Sequence, residues 1–449
     1  MKKLSLIFCL AAAALLPSCN KDDRQPEPQL PALTLQSDTV YVSPEGGEAQ
    51  FSYSIENPVE GAALKAEPQA EWISDVTVGE NTVTFNVSGN TETSGRTAGI
   101  LLSYDSLDDT VYVKQNPTEI TYTDLGAYAN CYIVSSEGNY FFNTGKVTGG
   151  QIDGIESVDW LWATKPASGG DSQDILTDIE YRDGAVYFTA TGQQGNLVLA
   201  ALNGSGDIVW SWHIWAAETP GSHVYPNGAE IMDRFVGAFG TEAGSTDTYG
   251  MMYQWGRKDP FYGGTVDESI DNIAYTTAEA ETIVNEELGR SWMFTHEGAD
   301  DTRSIREPMT MFCAADNNWA TDASSSTSVW AEQKTDTDPC PAGWRVPSSE
   351  DFSDLSAGVF DNANNGITFS GDGFSTWYPA QGCREDISGI LVLFNSMMCW
   401  TSTEMTREDP LDPSKTYNFS LRVVANPYVI QTNGLGNRAF AQPVRCIKE

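Results

Sequence analysis

The chain has 449 residues, with 62 acidic against 25 basic side chains and a formal net charge of −37. Such a surface repels nucleic acid and anionic lipid, which excludes partners of those classes. Its 40 glycines, 13 tryptophans and 18 tyrosines indicate a turn-rich, mainly β protein, and the length leaves room for more than one domain.

Lys2 and Lys3 precede the apolar run Leu4–Leu16. That run is too short to span a bilayer, so residues 1–18 read as a secretion signal. It ends in LLPSC, where Cys19 resembles the acylated cysteine of a bacterial lipobox. Residues 19–32 are polar and proline-rich and read as a disordered tether. The acidic pair Asp22 and Asp23 resembles the export signal of surface lipoproteins in the Bacteroides group. That resemblance implies an outer-membrane protein displayed at the cell surface, touching the membrane only through its N-terminal lipid.

Cys9 leaves with the signal and Cys19 carries the lipid. Cys131, Cys313, Cys340, Cys383, Cys399 and Cys446 remain. An even set in an exported chain favours disulfides, but the spacing leaves the pairing open. The absence of C-x-x-C, with only His213, His223 and His296, argues against zinc. No EF-hand loop is present. Neither a metal nor another cofactor is expected.

Residues 33–116 read as about seven short strands separated by Gly, Pro and Asn turns, the pattern of an immunoglobulin-like β-sandwich. In NTVTFNV, Val83, Phe85 and Val87 share one face. No cysteine lies in this stretch, and Trp72 is its expected buried aromatic. The SPEGG turn, the W-I-S segment, Asn90, Arg96, Ala98 and Ile100, then Val113 and Gln115, together resemble a BACON domain. The resemblance implies either a sugar binder or a spacer. No aromatic row stands out in the sequence, which favours a spacer.

Residues 117–224 form a β-rich lead-in lobe, opened by the linker NPTE. Asn203-Gly204-Ser205-Gly206 marks a hairpin turn. Alternation then places Val209, Ser211, His213 and Trp215 on one face of the second strand, opposite Ile208, Trp210, Trp212 and Ile214. His213 reads as a packed histidine bonded to a backbone carbonyl. The stretch 125–225 also resembles the lead-in of fimbrillin-related lipoproteins, which implies adhesion.

Further on, Tyr249, Tyr253, Trp255, Phe261 and Tyr262 form an aromatic cluster around Arg257, Lys258 and Asp259. TTAEAETIVNEELG predicts a short amphipathic helix, and the SSSTS region a loop. In DPCPAGWRVPSSEDF, residues 338–352, Pro339 and Pro341 fix φ on both sides of Cys340. Ser348 is a candidate N-cap with Asp351 at N3, opening a helix with Phe352 and Leu355 on one face. CPAGWRVPSSEDFSDL, CWTSTE and PVRCIK, with YQWGRKDPF and Met232-Asp233-Arg234-Phe235-Val236-Gly237-Ala238, resemble the Fibrobacter succinogenes major paralogous domain over residues 225–449. An Asn-Leu pair of that pattern is replaced here by Phe235-Val236.

This resemblance implies a C-type lectin-like fold. The overall expectation is thus mainly β with an α+β C-terminal part. It also implies a Cys340–Cys446 disulfide. Cys383 and Cys399, which flank a candidate hairpin, are the next pair, leaving Cys131 with Cys313. The segment 344–352 also resembles part of the formylglycine-generating enzymes, yet its content here is structural, and no pair of acidic residues can be singled out for glycosidase chemistry. No catalytic residue is therefore assigned. The expected function is non-catalytic: adhesion or glycan binding at the cell surface through the lectin-like domain. The calcium-binding Glu-Pro-Asn and Trp-Asn-Asp segments of true C-type lectins are missing. Trp319, Trp330, Trp377, Tyr253 and Trp255 are the candidate ligand-binding aromatics. The alternatives are a fimbrial or outer-membrane assembly component with a protein partner, its interface at the aromatics of 249–262, and a surface subunit of a glycan-uptake system.

Overall fold

A computed structural model describes residues 30–92, 94–117, 120–164, 175–263, 269–270, 273–274, 282–314, 318–321, 330–355, 357–371, 373–412 and 414–449. The signal segment, Cys19, nearly all of the tether and the SSSTS loop lie outside these residues. The chain divides into two compact units, Met1–Ile120 and Thr121–Glu449.

The first unit is a sandwich of two four-stranded sheets. Its strands are β1 (Ala32–Leu35), β2 (Thr39–Val42), β3 (Gly47–Glu56), β4 (Lys65–Pro68), β5 (Ile73–Val78), β6 (Thr82–Val87), β7 (Arg96–Tyr104) and β8 (Leu107–Gln115). One sheet runs β1-β3-β6-β5 and the other β2-β8-β7-β4. Alternation puts Phe51, Val83, Phe85 and Val87 from the first against Ile100, Leu102, Val111 and Val113 from the second. Each such burial stabilises the fold by about 1.5–3 kcal/mol. Trp72 differs from expectation: it is half-buried at the sandwich margin, with the Arg96 guanidinium 4.5 Å above its ring. Gly46 turns with φ of +80°, and a Cβ there would strike the Val87 carbonyl.

The second unit is nearly all β. Its first strands are β9 (Thr123–Asp124), β10 (Cys131–Val134), β11 (Gly138–Asn143), β12 (Ser157–Thr164), β13 (Leu176–Arg182), β14 (Ala185–Ala190), β15 (Gly195–Leu202) and β16 (Ile208–Ala216). The sheet β13-β14-β11-β9 covers one face of a mixed sheet that runs β10-β16-β15-β12 and ends on Thr282–Val284. Tyr140, Phe142, Val186 and Phe188 meet Leu197, Leu199, Trp210, Trp212 and Ile214 there. The opposite face packs Val198, Ala200 and Trp215 against Met232, Val236, Tyr253, Trp255, Trp400 and Val444. The β15–β16 hairpin is thus the central layer of three, buried on both faces. Residues before and after 225 share one core.

Alternation holds from Trp210 to Trp215, but a register shift opposite Leu202 exchanges Ile208 and Val209 between faces. The extra residue of a bulge has this effect because side chains alternate with period two. Among the described residues, α-helix is confined to Asp301–Arg306. The helix predicted after Ser348 is a single 3-10 turn, Glu350–Phe352. The helix predicted near 276–289 is replaced by the strand Thr282–Val284 and a 3-10 turn, Glu286–Leu288. Thr282, Ile283 and Val284 are β-branched and pair with the edge of β12. Residues 275–281 lie outside the description.

Candidate functional site

Ser211 and His213 project from β16 into a dry layer, and polar groups there must find partners. Ser211 Oγ donates to Asp259 Oδ1 at 2.5 Å. Lys258 donates to that same hydroxyl, to the Ser211 carbonyl at 3.2 Å and to Asp259 at 2.6 Å. All three residues are buried. Burial pulls the Lys258 ammonium below its usual range, and the Asp259 charge opposes that pull. This Ser–Lys–Asp cluster uses all three N–H bonds of Lys258. Ser211 is closed to solvent, so the cluster ties the Gly256–Pro260 segment to the central hairpin.

His213 Nε2 lies 2.8 Å from Asn196 Oδ1, and the Asn196 amide donates to the Gly237 carbonyl. The partner is therefore an asparagine side chain and not the backbone carbonyl expected. Burial lowers the His213 pKa to about 3, which keeps the ring neutral.

The segment 334–351 is a second buried polar centre. Asp338 accepts from the Cys340 and Val346 amides at 2.8 and 2.9 Å. Lys334 joins Asp338 and the carbonyls of Cys340 and Trp344, each at 2.7 Å. Cys340 is bonded to Cys446, with Cα atoms 6.0 Å apart. Trp344 and Arg345 pair with Lys448 and Ile447. Asp351 accepts from the Ser348 amide and hydroxyl and its amide reaches Ser348 Oγ at 3.4 Å, but the 3-10 turn starts after Ser349, which makes no side-chain cap bond, so Ser348 is not its N-cap. DPCPAGWRVPSSEDF is a stapled structural corner.

The other two expected disulfides are absent: Cys131, Cys313, Cys383 and Cys399 are free thiols. Cys383 pairs with Val392 in one sheet, whereas Cys399 pairs with Val423 in another. Cys131 lies in the core beside the Cys340–Cys446 bond, while Cys313 is half-buried after the strand Thr310–Phe312. Burial pushes the Cys383 and Cys399 thiols up to about 12 and the Cys313 thiol to about 11.

The candidate ligand-binding aromatics are mostly internal. Tyr253, Trp255, Trp319 and Trp330 are buried. Their indoles hold the layers together: Trp319 Nε1 donates to the Trp255 carbonyl, Trp255 Nε1 to Thr401 and Trp330 Nε1 to Thr337. Trp377 is half-buried and lies over Gly366 on the neighbouring strand. Phe261 is also buried, so the stretch 249–262 is an inner wall of the core and not an exposed interface.

In the first unit, the motif residues form a clamp. Gln115 donates to the carbonyls of Ser43, Pro44 and Ser88. Arg96 donates to Gln115 Oε1 and to the carbonyls of Ser88 and Gly89. Asn90 donates to the carbonyls of Ser94 and Asn116. These residues fasten three loops at one end of the sandwich. A different face carries exposed aromatics. Strand β2 runs parallel to β8 with Thr39 opposite Tyr112 and Tyr41 opposite Lys114. Val40, Val111 and Val113 point inward, so Tyr41 and Tyr112 point outward together, 75% and 49% exposed. The Lys114 ammonium lies 5.9 Å from the Tyr41 ring centre. The residue opposite Tyr112 on β7 is Gly99, and the Thr110 methyl lies over it. Sequence inspection misses this pair because parallel strand pairing brings distant positions together.

The model of the BACON family, described as a putative binding domain, N-terminal, matches residues 62–116. No curated protein matches the chain. Solved structures give partial likenesses. A Bacteroides ovatus GH5 xyloglucanase in complex with a XXXG heptasaccharide shares 18% identity over 24% of this chain and 22% of its own, with a TM-score of 0.17. A Bacteroides thetaiotaomicron protein shares 14% over 23% of this chain and 98% of its own, at 0.15. Domains 5-6 of the S-layer protein SbsC share 14% over 42% and 100%, at 0.17.

Proposed function

We propose that this chain is a non-catalytic binding protein with a glycan ligand, held at the outer membrane by lipid on Cys19 and displayed at the cell surface. The observation that carries the binding role is the match of residues 62–116 to a putative binding domain. The absence of catalysis in this reading is supported by the engagement of the candidate groups. Ser211, Lys258 and Asp259 bond one another, and His213 is buried and neutral. A nucleophile or base engaged this way is already bonded to neighbouring side chains, which supports the non-catalytic reading. The C-type lectin-like assignment of residues 225–449 belongs to the same reading and rests on its sequence motifs.

A glycan array on the mature chain, with and without calcium, tests the proposal. Saturable binding to a defined sugar is expected, with no hydrolysis of the bound glycan and no thiol oxidation. Turnover that persists through purification and tracks with this chain overturns the non-catalytic part.

A further inference from the structure

The outward face of the β2-β8-β7-β4 sheet has not been assigned a role. We infer that Tyr41 and Tyr112 form a sugar-stacking platform for a glycan chain, flanked by Lys114. This inference rests on the proposed glycan reading and adds the place where the sugar lies.

Both rings are open to solvent. Two tyrosines left open on adjacent strands are an unusual use of large aromatic surface, since such rings are normally buried. They are diagonal neighbours across β2 and β8, a separation of roughly 7–8 Å between backbone positions. That spacing lets the two rings meet successive pyranose faces.

The patch is also small. The two rings together expose on the order of 250 Å². A stable protein partner needs about 800 Å² from each side, with an apolar centre. Around the rings stand Thr39, Thr110 and Lys114, which supply hydroxyls and an ammonium, with Leu101 opposite Thr110 as the further apolar side chain. This composition suits a ligand with C–H faces and many hydroxyls. The tyrosines stack on the C–H faces, and Lys114 donates to ring or hydroxyl oxygens.

The rings are also pre-positioned. Val40, Val111 and Val113 beneath them are packed in the sandwich core, so the strands that carry the tyrosines are rigid. A platform fixed in this way does not pay to order itself on binding.

The test uses native affinity gels containing xylan, glucomannan, galactomannan or mixed-linkage β-glucan, together with the array. The mature native chain is compared with Tyr41→Ala, Tyr112→Ala and the double variant. Tyr428→Ala, a 91%-exposed tyrosine of the second unit, is the control. Each single change is expected to weaken retardation about two- to tenfold, and the double variant to abolish it. The control keeps full retardation. Both variant rings face solvent, so thermal midpoints stay unchanged. Binding that survives in the double variant overturns the platform and leaves the glycan reading intact. Loss in the Tyr428→Ala control alone moves the site to the second unit. A native chain that binds no sugar on gel or array overturns both.

Discussion

Lys334 and Asp338 form an ion pair of 2.7 Å within the second unit, and the Asp338 side chain has no contact with solvent. Around them lie two backbone amides that donate to the carboxylate and two carbonyls that accept from the ammonium. Every charge at this corner is met by a fixed partner. Removing one member leaves the other buried and uncompensated. Asp338→Ala is expected to lower stability by about 3–5 kcal/mol. Urea unfolding of the mature chain reads this directly. An unchanged midpoint in both Asp338→Ala and Asp338→Asn contradicts the role assigned to the pair.

The Cys340–Cys446 disulfide has its own signature. Cys340 and Cys446 are separated by 106 residues, and closing a loop of that size restricts the unfolded chain by about 4–5 kcal/mol. The Cys340→Ala/Cys446→Ala double variant is expected to lose stability of that order. Non-reducing peptide mapping should return one cross-linked peptide. Maleimide labelling of the folded chain should reach Cys313 first, and Cys131, Cys383 and Cys399 only after unfolding. A second cross-linked peptide contradicts the free state of those thiols.

His213 gives a pH dependence. Its folded pKa, about 3, lies below the ordinary histidine value of 6.5. Between those values the unfolded chain binds a proton that the folded chain does not. Stability therefore rises with pH through this window and falls on acidification from about 6.5 toward 3. The contribution of this residue has a slope of at most about 1.4 kcal/mol per pH unit. His213→Gln removes it. The difference between native and variant stabilities should shrink as pH falls. A difference that stays constant from pH 7 to 4 rules the titration out.

Display at the surface is tested at Cys19. Cys19→Ala should leave an unacylated protein that fractionates away from the membrane. Proteinase added to intact cells should degrade the native form. Native protein that survives until the outer membrane is broken places it inside.

The sandwich is legible in the sequence because its strands alternate cleanly. Val83, Phe85 and Val87 declare a face by themselves. The hairpin at Asn203 to Asp207 is legible for a similar reason: its turn is local. The aromatics of residues 249–377 are not legible as core or surface. Their residue types suit either place, and only three-layer packing decides between them. Tyr41 and Tyr112 escape notice because nothing near either one predicts that β2 lies beside β8. The helix expected after Ser348 fails through competition. Ser349 donates to Thr403 and Pro347 accepts from Ser402, both in the strand Met397–Glu408, and the chain turns away after one 3-10 turn.

The C-terminal strand also sets an order of events. Val444 and Cys446 complete the core that holds Cys131 and Trp162, and Ile447 closes the ladder between Ile231 and Arg345. A ribosome makes these pieces hundreds of residues apart. The second unit therefore cannot mature from its leading end. Contacts this remote in the chain make for slow closure. A stop codon a few residues upstream of Val444 would remove the strand that joins Ile231 to Arg345 and the cysteine bonded to Cys340.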